Sequence, residues 1–212
     1  MRETSLATLA LVCALLGLAS VVMVSQRLVE EAKIGELSQH NLETTVQISG
    51  VVVRVSKSGE HVILRVSDGT GQVTVPIFGN ILGGVLAEVG EIEIGDMVTV
   101  RGKIEEYRGV LEVVPASARG VRVTKQETQK VVDTDLEKYM LRVVEVVGVV
   151  VRKPGDAPFF YLRFGGEEIR VYMPPGVAWP GVGAGESVRV VGAVTRYGGV
   201  LELVARRVEP LN

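Results

Sequence analysis

Aromatic and basic residues alternate along two short segments in the second half of the chain. Phe159, Tyr161 and Arg163 are spaced two residues apart, and so are Arg170 and Tyr172. Residues with this spacing share one face of a β-strand. Aromatic rings stack on nucleobases and guanidinium groups contact phosphates, so the pattern indicates binding of single-stranded nucleic acid. A protein partner is an equally good hypothesis, because aromatic residues and arginine are also enriched at protein interfaces.

Similar residues flank these segments and occur in the first half of the chain. The candidate nucleic-acid-binding residues are Arg152, Lys153, Phe159, Tyr161, Arg163, Arg170, Tyr172, Arg196 and Tyr197 in the second half, and Lys57, Arg65, Phe78, Tyr107 and Arg108 in the first. The formal net charge is -2, so no basic field covers the whole chain. We expect the second half, where arginine and aromatic residues are interleaved, to contribute most of the binding.

No pattern in the sequence indicates catalysis. His40 and His61 stand in different segments and the chain has one cysteine, so the spacings typical of metal ligands do not occur. Phosphate-binding glycine loops and nucleophile-elbow motifs do not occur either. We therefore expect a protein that is not an enzyme, with no catalytic residue, no metal site and no cofactor.

The chain contains an internal repeat. Residues 50–54 (GVVVR) recur as residues 148–152, and residues 107–114 (YRGVLEVV) recur as residues 197–204 (YGGVLELV). The spacing between copies is constant on each side of one shortened region. This indicates duplication rather than chance similarity between valine-rich strands.

Each copy is predicted to form five short strands. Valine-rich, alternating segments place them at residues 46–55, 61–67, 72–78, 97–104 and 110–114, and at residues 142–152, 159–164, 168–173, 187–194 and 200–207. Between the third and fourth strands the first copy has a sequence compatible with a short helix. Prolines prevent a helix at the same place in the second copy.

Two runs in the first copy carry a resemblance to a known family. Residues 64–75 (LRVSDGTGQVTV) place Asp-Gly-Thr-Gly between two strands, and residues 95–109 contain Gly-Asp-x-Val-x-Val-x-Gly followed by Tyr-x-Gly. These runs resemble OB-fold domains of the tRNA-anticodon and replication-protein-A type, which are five-stranded Greek-key barrels. The second copy keeps only Gly165 and Gly166 of the first run, so its assignment rests on the repeat. The resemblance implies a ligand face on strands two and three, framed by the loop joining strands one and two and the loop joining strands four and five.

Residues 6–24 (LATLALVCALLGLASVVMV) contain no charged residue. An α-helix of this length rises about 28 Å, close to the thickness of the hydrocarbon core of a bilayer. We predict a single-pass membrane anchor, with a cleaved signal peptide and a buried soluble helix as alternatives. The bulk of the chain is then expected on the extracytoplasmic side, although the charges flanking the segment nearly balance.

The predicted fold class is all-β, with two tandem five-stranded OB-fold barrels preceded by one transmembrane helix. The predicted parts are an anchor (residues 1–27), a helical stalk (28–44), the first OB-fold (45–123), a linker with a short helix (124–140) and the second OB-fold (141–212).

The predicted function is a membrane-anchored, non-enzymatic protein that binds single-stranded nucleic acid mainly through the second barrel. The alternative is a protein-interaction or scaffold subunit of a cell-envelope complex. Haem chaperones of cytochrome c maturation also combine an anchor with an OB barrel, but they carry a haem-attaching His or Cys with a nearby Tyr. Here the residue four positions after His61 is Arg65, so that activity is not supported. A filament subunit of the pilin type is also less favoured, because no pilin-like cleavage site precedes the apolar segment.

Overall fold

In the strands of both repeats, apolar and polar residues alternate, so one face of each strand is buried and the other is exposed. Along residues 61–67, for example, Val62, Leu64 and Val66 are buried in a core while Ile63 is exposed on the opposite face. The computed structural model describes residues 12–14, 17, 31–131 and 134–211. Strands in these ranges form two six-stranded sheets, and each sheet encloses its own hydrophobic core.

The strands are numbered in chain order. The first sheet consists of β1 (Thr45–Ser58), β2 (His61–Ser67), β3 (Gln72–Ile77), β4 (Met97–Tyr107), β5 (Val110–Pro115) and β6 (Val121–Thr124). The second sheet consists of β7 (Gln129–Lys130), β8 (Val143–Arg152), β9 (Phe159–Phe164), β10 (Glu167–Tyr172), β11 (Ser187–Tyr197) and β12 (Val200–Pro210). An α-helix, α1 (Gly79–Val89), follows β3. Single 3-10 turns span Ile34–Glu36, Gln39–Asn41, Ala118–Gly120 and Leu136–Tyr139.

The strand pairings close each set of five strands into a ring. In the first sheet β1 pairs with β2, β2 with β3, β3 with β5, β5 with β4, and β4 again with β1. In the second sheet β8, β9, β10, β12 and β11 follow the same order and close between β11 and β8. All ten predicted strands form, with ends that differ by a few residues, and β6 and β7 are additional. The pairings are those that two five-stranded OB-folds require.

The predicted membrane anchor at residues 6–24 lies outside the described residues, apart from residues 12–14 and 17, which are helical. In the part of the chain that the structure describes, no helix is both long and apolar enough to cross a membrane. The residues from Glu31 onward, which include both sheets, form one compact unit.

The connection between the third and fourth strands closes one end of each core differently. In the first sheet α1 forms as predicted, with Ile81 and Val85 buried in the core, and it ends at Gly90 with φ 75°. In the second sheet the proline-containing connection is not helical, and Trp179 packs on Phe160 with ring centroids 4.9 Å apart. The side chain of Trp179 therefore covers this end of the second core, whereas α1 covers the same end of the first core.

The repeat begins earlier than the sequence comparison indicated. Glu31 pairs in parallel with Gln47 on β1, and β7 pairs in parallel with β8 at the start of the second copy. Glu43 and Leu141 both adopt positive φ values, 67° and 61°. Their backbone N–H groups donate to equivalent carbonyls, on β4 and β11 respectively. The residues before β1 and before β8 are therefore equivalent segments that lead into each sheet.

The predicted helical stalk at residues 28–44 is wrong over its described part. Residues 31–44 form two separate 3-10 turns, and Ile34 is buried in the first core. This segment is held against the first sheet by the Asp-Gly-Thr-Gly turn that was predicted between β2 and β3. The Asp68 carboxylate accepts the N–H groups of Thr70, at 2.8 Å, and of Ile34, at 2.8 Å. Thr70 Oγ1 accepts the N–H of Gly35 at 2.9 Å, so the turn binds the segment to the sheet.

The predicted linker contains the expected short helix, as a 3-10 turn at Leu136–Tyr139. Asp135 caps this turn, because its side chain accepts the N–H of Glu137 at 3.2 Å.

The two sheets contact each other through different faces. Val51 and Val53 of β1 are buried against Ala193 of β11 and Val204 of β12. Burial of a valine side chain stabilises a fold by about 1.5–3 kcal/mol. At the edge of this cluster Arg206 of β12 pairs with Glu93 of the first repeat. Burial raises the pKa of Glu93, but hydrogen bonds and charges from Arg206 and a neighbouring lysine outweigh this and hold the pKa below its ordinary value.

Candidate nucleic-acid interface

A row of directly opposed residues crosses the outer face of the second sheet. Arg152 on β8 is opposite Tyr161 on β9, which is opposite Arg170 on β10. The row continues through Glu202 on β12 to Thr195 on β11. Cross-strand neighbours have Cβ atoms about 4.5–5.5 Å apart, so their side chains interact. We call this set the Arg152–Thr195 row.

Arginine side chains lie over aromatic rings along this row. The guanidinium of Arg152 is 3.7 Å from the ring centroid of Tyr161. The guanidinium of Arg170 is 5.0 Å from the ring of Phe159 and 5.2 Å from the ring of Tyr197. Phe159 and Tyr161 meet edge to face, with centroids 5.8 Å apart. These cation–π contacts orient both kinds of group without neutralising the arginine charge.

The first sheet covers the Thr195 end of the row and leaves a cleft beside it. Thr195 Oγ1 is 2.8 Å from Ser67 Oγ, and both residues are fully buried. Next to this hydrogen bond is a cavity of about 290 Å³ lined by Val53, Arg54, Arg65, Gln72, Arg170, Tyr172, Tyr197, Glu202 and Val204. A second cavity of about 260 Å³ lies along the β11–β12 hairpin and shares Arg65, Gln72 and Tyr197 with the first. Together the two cavities form the inter-sheet cleft.

Positive charge predominates in the inter-sheet cleft. The side chains of Arg54 and Arg65 make no hydrogen bond or ion pair with any residue that the structure describes. Arg170 Nε lies 2.7 Å from Oε2 of Glu202, the one acidic residue among the described residues that line the cleft. Burial raises the pKa of Glu202, and the charge of Arg170 opposes this only in part. The cleft therefore presents more cationic than anionic groups, which suits an anionic ligand.

The β11–β12 hairpin forms the rim of the inter-sheet cleft. Gly198 and Gly199 occupy the turn with φ values of 59° and 80°, which glycine adopts without strain. Arg196 pairs with Glu137, and its Nη1 donates to the carbonyl of Gly199 at 2.8 Å. The ring of Tyr197 remains 55% exposed beside the cleft, so it is available for stacking.

The equivalent row of the first sheet carries a different charge. Arg54 is opposite Arg65, and the row continues through Thr74 and Glu112 to Glu105. Its far end is acidic, and burial and the charge of Glu105 raise the pKa of Glu112, an effect that Arg65 reduces. Only the basic end of this row reaches the inter-sheet cleft, where it faces the row of the second sheet.

The structure brings most of the predicted residues of the second sheet together. Five predicted residues line the inter-sheet cleft, namely Arg65, Arg170, Tyr172, Arg196 and Tyr197. Arg152, Phe159 and Tyr161 adjoin them on the same face. Tyr172 has a second role that the prediction did not assign, because it packs against the valine cluster between the sheets.

Nine predicted residues do not line the inter-sheet cleft. Apart from Arg152, Phe159 and Tyr161, these are Lys57, Phe78, Tyr107, Arg108, Lys153 and Arg163. Lys57 pairs with Glu91 at 3.2 Å, and Phe78 meets His61 edge to face at the start of α1.

The other four residues lie at three different places outside the cleft. Arg108 lies over Tyr107, 5.1 Å from the ring centroid, in the hairpin of the first sheet. Lys153 donates to a loop carbonyl at 2.6 Å. Arg163 is exposed one row beyond Tyr161, opposite Val149.

Several residues that line the cleft were absent from the predicted set, among them Arg54, Gln72 and Glu202. Arg54 has a signal in the sequence, because it is the repeat counterpart of the predicted residue Arg152. Glu202 likewise belongs to the repeated phrase that begins at Tyr197, but nothing in the phrase shows that the first sheet buries it. Gln72 follows the Asp-Gly-Thr-Gly turn and carries no pattern of its own. In the described ranges, no group of three or more His, Cys, Asp or Glu is placed to hold a metal ion.

Comparison with known proteins matches residues 46–119 to the family described as an OB-fold nucleic acid binding domain of the tRNA anti-codon type. The match spans β1 to β5, whose closed pairing agrees with it. Among curated proteins, none matches the chain significantly.

Solved structures similar to this chain include an OBody, AM1L10, bound to hen egg-white lysozyme, with 22% identity over 46% of this chain and 96% of that chain and a TM-score of 0.39. Asparaginyl-tRNA synthetase from Pyrococcus horikoshii is 19% identical over 45% of this chain and 23% of the synthetase chain, with a TM-score of 0.39. A chain of the S. pombe Stn1-Ten1 complex is 20% identical over 39% of this chain and 59% of its own length, with a TM-score of 0.34.

The ion pair of Arg170 with Glu202 predicts a pH-dependent stability. In Arg170→Gln we expect the pKa of Glu202 to rise further, because the charge that opposes the effect of burial is gone. Unfolding free energy at pH 7 should then fall by about 2–3 kcal/mol, since an ionised, buried carboxylate is left unpaired. Near pH 4 the loss should be smaller, because Glu202 is then protonated in the folded protein and largely protonated in the unfolded chain.

Urea unfolding at the two pH values measures this difference. Arg152→Gln serves as the control, since Arg152 forms an exposed ion pair with Glu168 at 3.5 Å, which contributes about 0–1 kcal/mol. An equal loss at both pH values in Arg170→Gln would show that Arg170 acts through packing instead.

Proposed function

We propose that the chain binds single-stranded nucleic acid in the inter-sheet cleft and along the Arg152–Thr195 row. The observation that carries this proposal is the convergence of Arg54, Arg65 and Arg170 with the exposed ring of Tyr197 around one cavity. Guanidinium groups bind phosphates, and an exposed aromatic ring stacks on a base. The match of the first sheet to an OB-fold nucleic-acid-binding family supports the same class of ligand.

The arrangement of rings favours a single strand over a duplex. From Tyr197 the surface continues over Arg170 to Phe159 and Tyr161, with Arg152 at its far end. A strand lying along this path would meet rings and guanidinium groups in alternation. In a duplex the faces of the bases are stacked on one another and do not reach such rings, whereas a single strand exposes them.

We propose binding without catalysis. The polar side chains of the cleft are arginines, two tyrosines, one threonine, one glutamine and Glu202, which is paired with Arg170. Arginine stays protonated and cannot act as a base near neutral pH. These side chains suit the holding of an anion rather than proton transfer.

Removal of two unpaired arginines should weaken binding through its electrostatic part. For Arg54→Ala combined with Arg65→Ala, we expect affinity for a fluorescent oligonucleotide to fall about tenfold or more at low salt. We also expect the slope of log K against log salt to decrease by about 1.4, because each phosphate contact to a single strand contributes about 0.7. Fluorescence anisotropy across a salt series measures both quantities.

The control for this change is Arg122→Ala, which removes an exposed arginine of β6 that does not line the cleft. It should leave affinity and slope unchanged. Failure of the unaltered protein to bind any oligonucleotide at low salt would contradict the proposal and leave a protein as the ligand of this face.

The repeated hairpin offers a matched test of stacking. Tyr197 and Tyr107 occupy the same position in the two copies and are 55% and 57% exposed, but only Tyr197 lines the cleft. We expect Tyr197→Ala to weaken binding by about 5–150-fold, the effect of losing one stacked base. Tyr107→Ala should have no effect. Equal losses in the two variants would place the nucleic acid outside the cleft.

We further propose that residues 6–24 anchor the chain in a membrane with its sheets on the extracytoplasmic side. The support is the uncharged length of this segment. A reporter fused after residue 212, active only outside the cytoplasm, should be active in cells. An inactive external reporter together with an active cytoplasmic one would reverse the orientation. Recovery of the intact chain in the soluble fraction would contradict the anchor.

A further inference from the structure

The two sheets contact each other through one face of the first sheet and a different face of the second. Because the sheets arose by duplication, each of them contains a version of both faces. The first sheet contributes Val51, Val53 and Ser67, which we call the valine face. The second sheet receives it with a surface that includes Thr195 and Val204, which we call the receiving face. Because each sheet has the same strand order, the second sheet also has a valine face and the first also has a receiving face. Among the residues that the structure describes, neither copy takes part in the contact between the sheets.

The unused valine face lies on β8 and β9. Val51 is opposite Ser67 in the first sheet, and Val149 is opposite Arg163 in the second, so Val149 and Arg163 are the counterparts of Val51 and Ser67. Val51 is fully buried, whereas Val149 is 37% exposed and its neighbour Val147 is 47% exposed. The second valine face is therefore apolar and open, with an arginine in place of the serine.

The unused receiving face lies on β4 and β5. Thr195 is opposite Glu202 in the second sheet, and Glu105 is opposite Glu112 in the first. Glu105 and Glu112 thus occupy the positions of Thr195 and Glu202. Val114, opposite Lys103, likewise occupies the position of Val204, opposite Ala193.

The charges on the two unused faces are complementary. The side chain of Arg163 makes no hydrogen bond or ion pair with any described residue, because Glu168 across from it pairs with Arg152. Glu105 and Glu112 lie directly opposite each other, and opposed like charges destabilise a sheet. Within the chain Ser67 bonds to Thr195, and the same geometry between the unused faces would bring Arg163 to Glu105.

One further ion pair belongs to the receiving face. Lys103 pairs with Glu43 there and is also attracted by the charge of Glu105, so one lysine lies among three carboxylates, those of Glu43, Glu105 and Glu112. The receiving face of the first sheet is thus net acidic and the valine face of the second sheet carries an unpaired cation.

We propose that copies of this chain associate head to tail, with the valine face of one second sheet docked on the receiving face of another first sheet. Val149 then takes the place of Val51, and Arg163 pairs with Glu105 of the next copy. The two contacting surfaces are different, so each added copy leaves one of each kind free, and assembly continues beyond a dimer.

Sedimentation velocity of the full chain tests this association. In a mild detergent, which suppresses contacts through the apolar N-terminal segment, we expect species that grow beyond dimer with protein concentration and shrink with added salt. Arg163→Glu opposes two carboxylates at the contact, and Glu105→Arg opposes two guanidinium groups. Each variant alone should associate at least roughly 100-fold more weakly than the unaltered chain, because opposed like charges at an interface are strongly unfavourable.

An equimolar mixture of the two variants separates this proposal from a general loss of fold or charge. In the mixture the Arg163 that one variant retains can meet the Glu105 that the other retains. The two introduced side chains are also opposite in charge and can pair where the variants alternate, so assembly beyond dimer should return. Arg122→Glu, the same charge reversal on an exposed residue of β6, should assemble like the unaltered chain.

Three results would overturn the proposal. They are an unaltered chain that stays monomeric up to high concentration, a variant Arg163→Glu that assembles normally, and a mixture that stays monomeric although both variants melt like the parent. None of these measurements contains nucleic acid, so their outcome is independent of the proposed binding function.

Discussion

The contact between the two sheets is the interaction on which the candidate site depends. Val51 and Val53 are buried against Ala193 and Val204, and the buried hydrogen bond between Ser67 and Thr195 fixes how the surfaces meet. This contact covers one end of a row on the second sheet and leaves the other end open. The cleft lies beside the covered end of the row, and Arg54 and Arg65 of the first sheet line it.

Duplication followed by divergence explains why the site combines two sheets. Both copies keep an arginine at the start of the row and a glutamate near its end. The second copy has Tyr161 and Arg170 at the positions where the first has Arg65 and Thr74. The second row supplies aromatic rings, and the first row supplies the unpaired cations Arg54 and Arg65. Both kinds of group come together only where the two rows meet at the cleft. Each sheet therefore supplies what the other lacks.

The strands and the closed topology could be predicted because burial in these sheets follows an alternation of two residues. The ring-bearing face of β9 and β10 followed from the same alternation. Contacts between segments distant in sequence could not be predicted in this way. The turn at Asp68 binds Ile34 to the first sheet, and an apparently polar leading segment thus belongs to the repeat instead of forming a stalk. Glu202 likewise looks like a surface residue until its burial by the other sheet is known.

The presence of a valine face and a receiving face on each sheet also determines which surfaces of the second sheet remain open. The second sheet already uses its receiving face within the chain, so its open surfaces are the row from Arg152 to Arg170 and the valine face beside it. Arg163 lies at the border between the two, and its counterpart Ser67 takes part in contact between sheets and not in the cleft. By repeat symmetry Arg163 corresponds to a residue of the contact between the sheets, whereas the rings lie on the face that carries the row. If copies align head to tail, their clefts lie in series, an arrangement that suits a ligand which is itself a long, repeating polyanion.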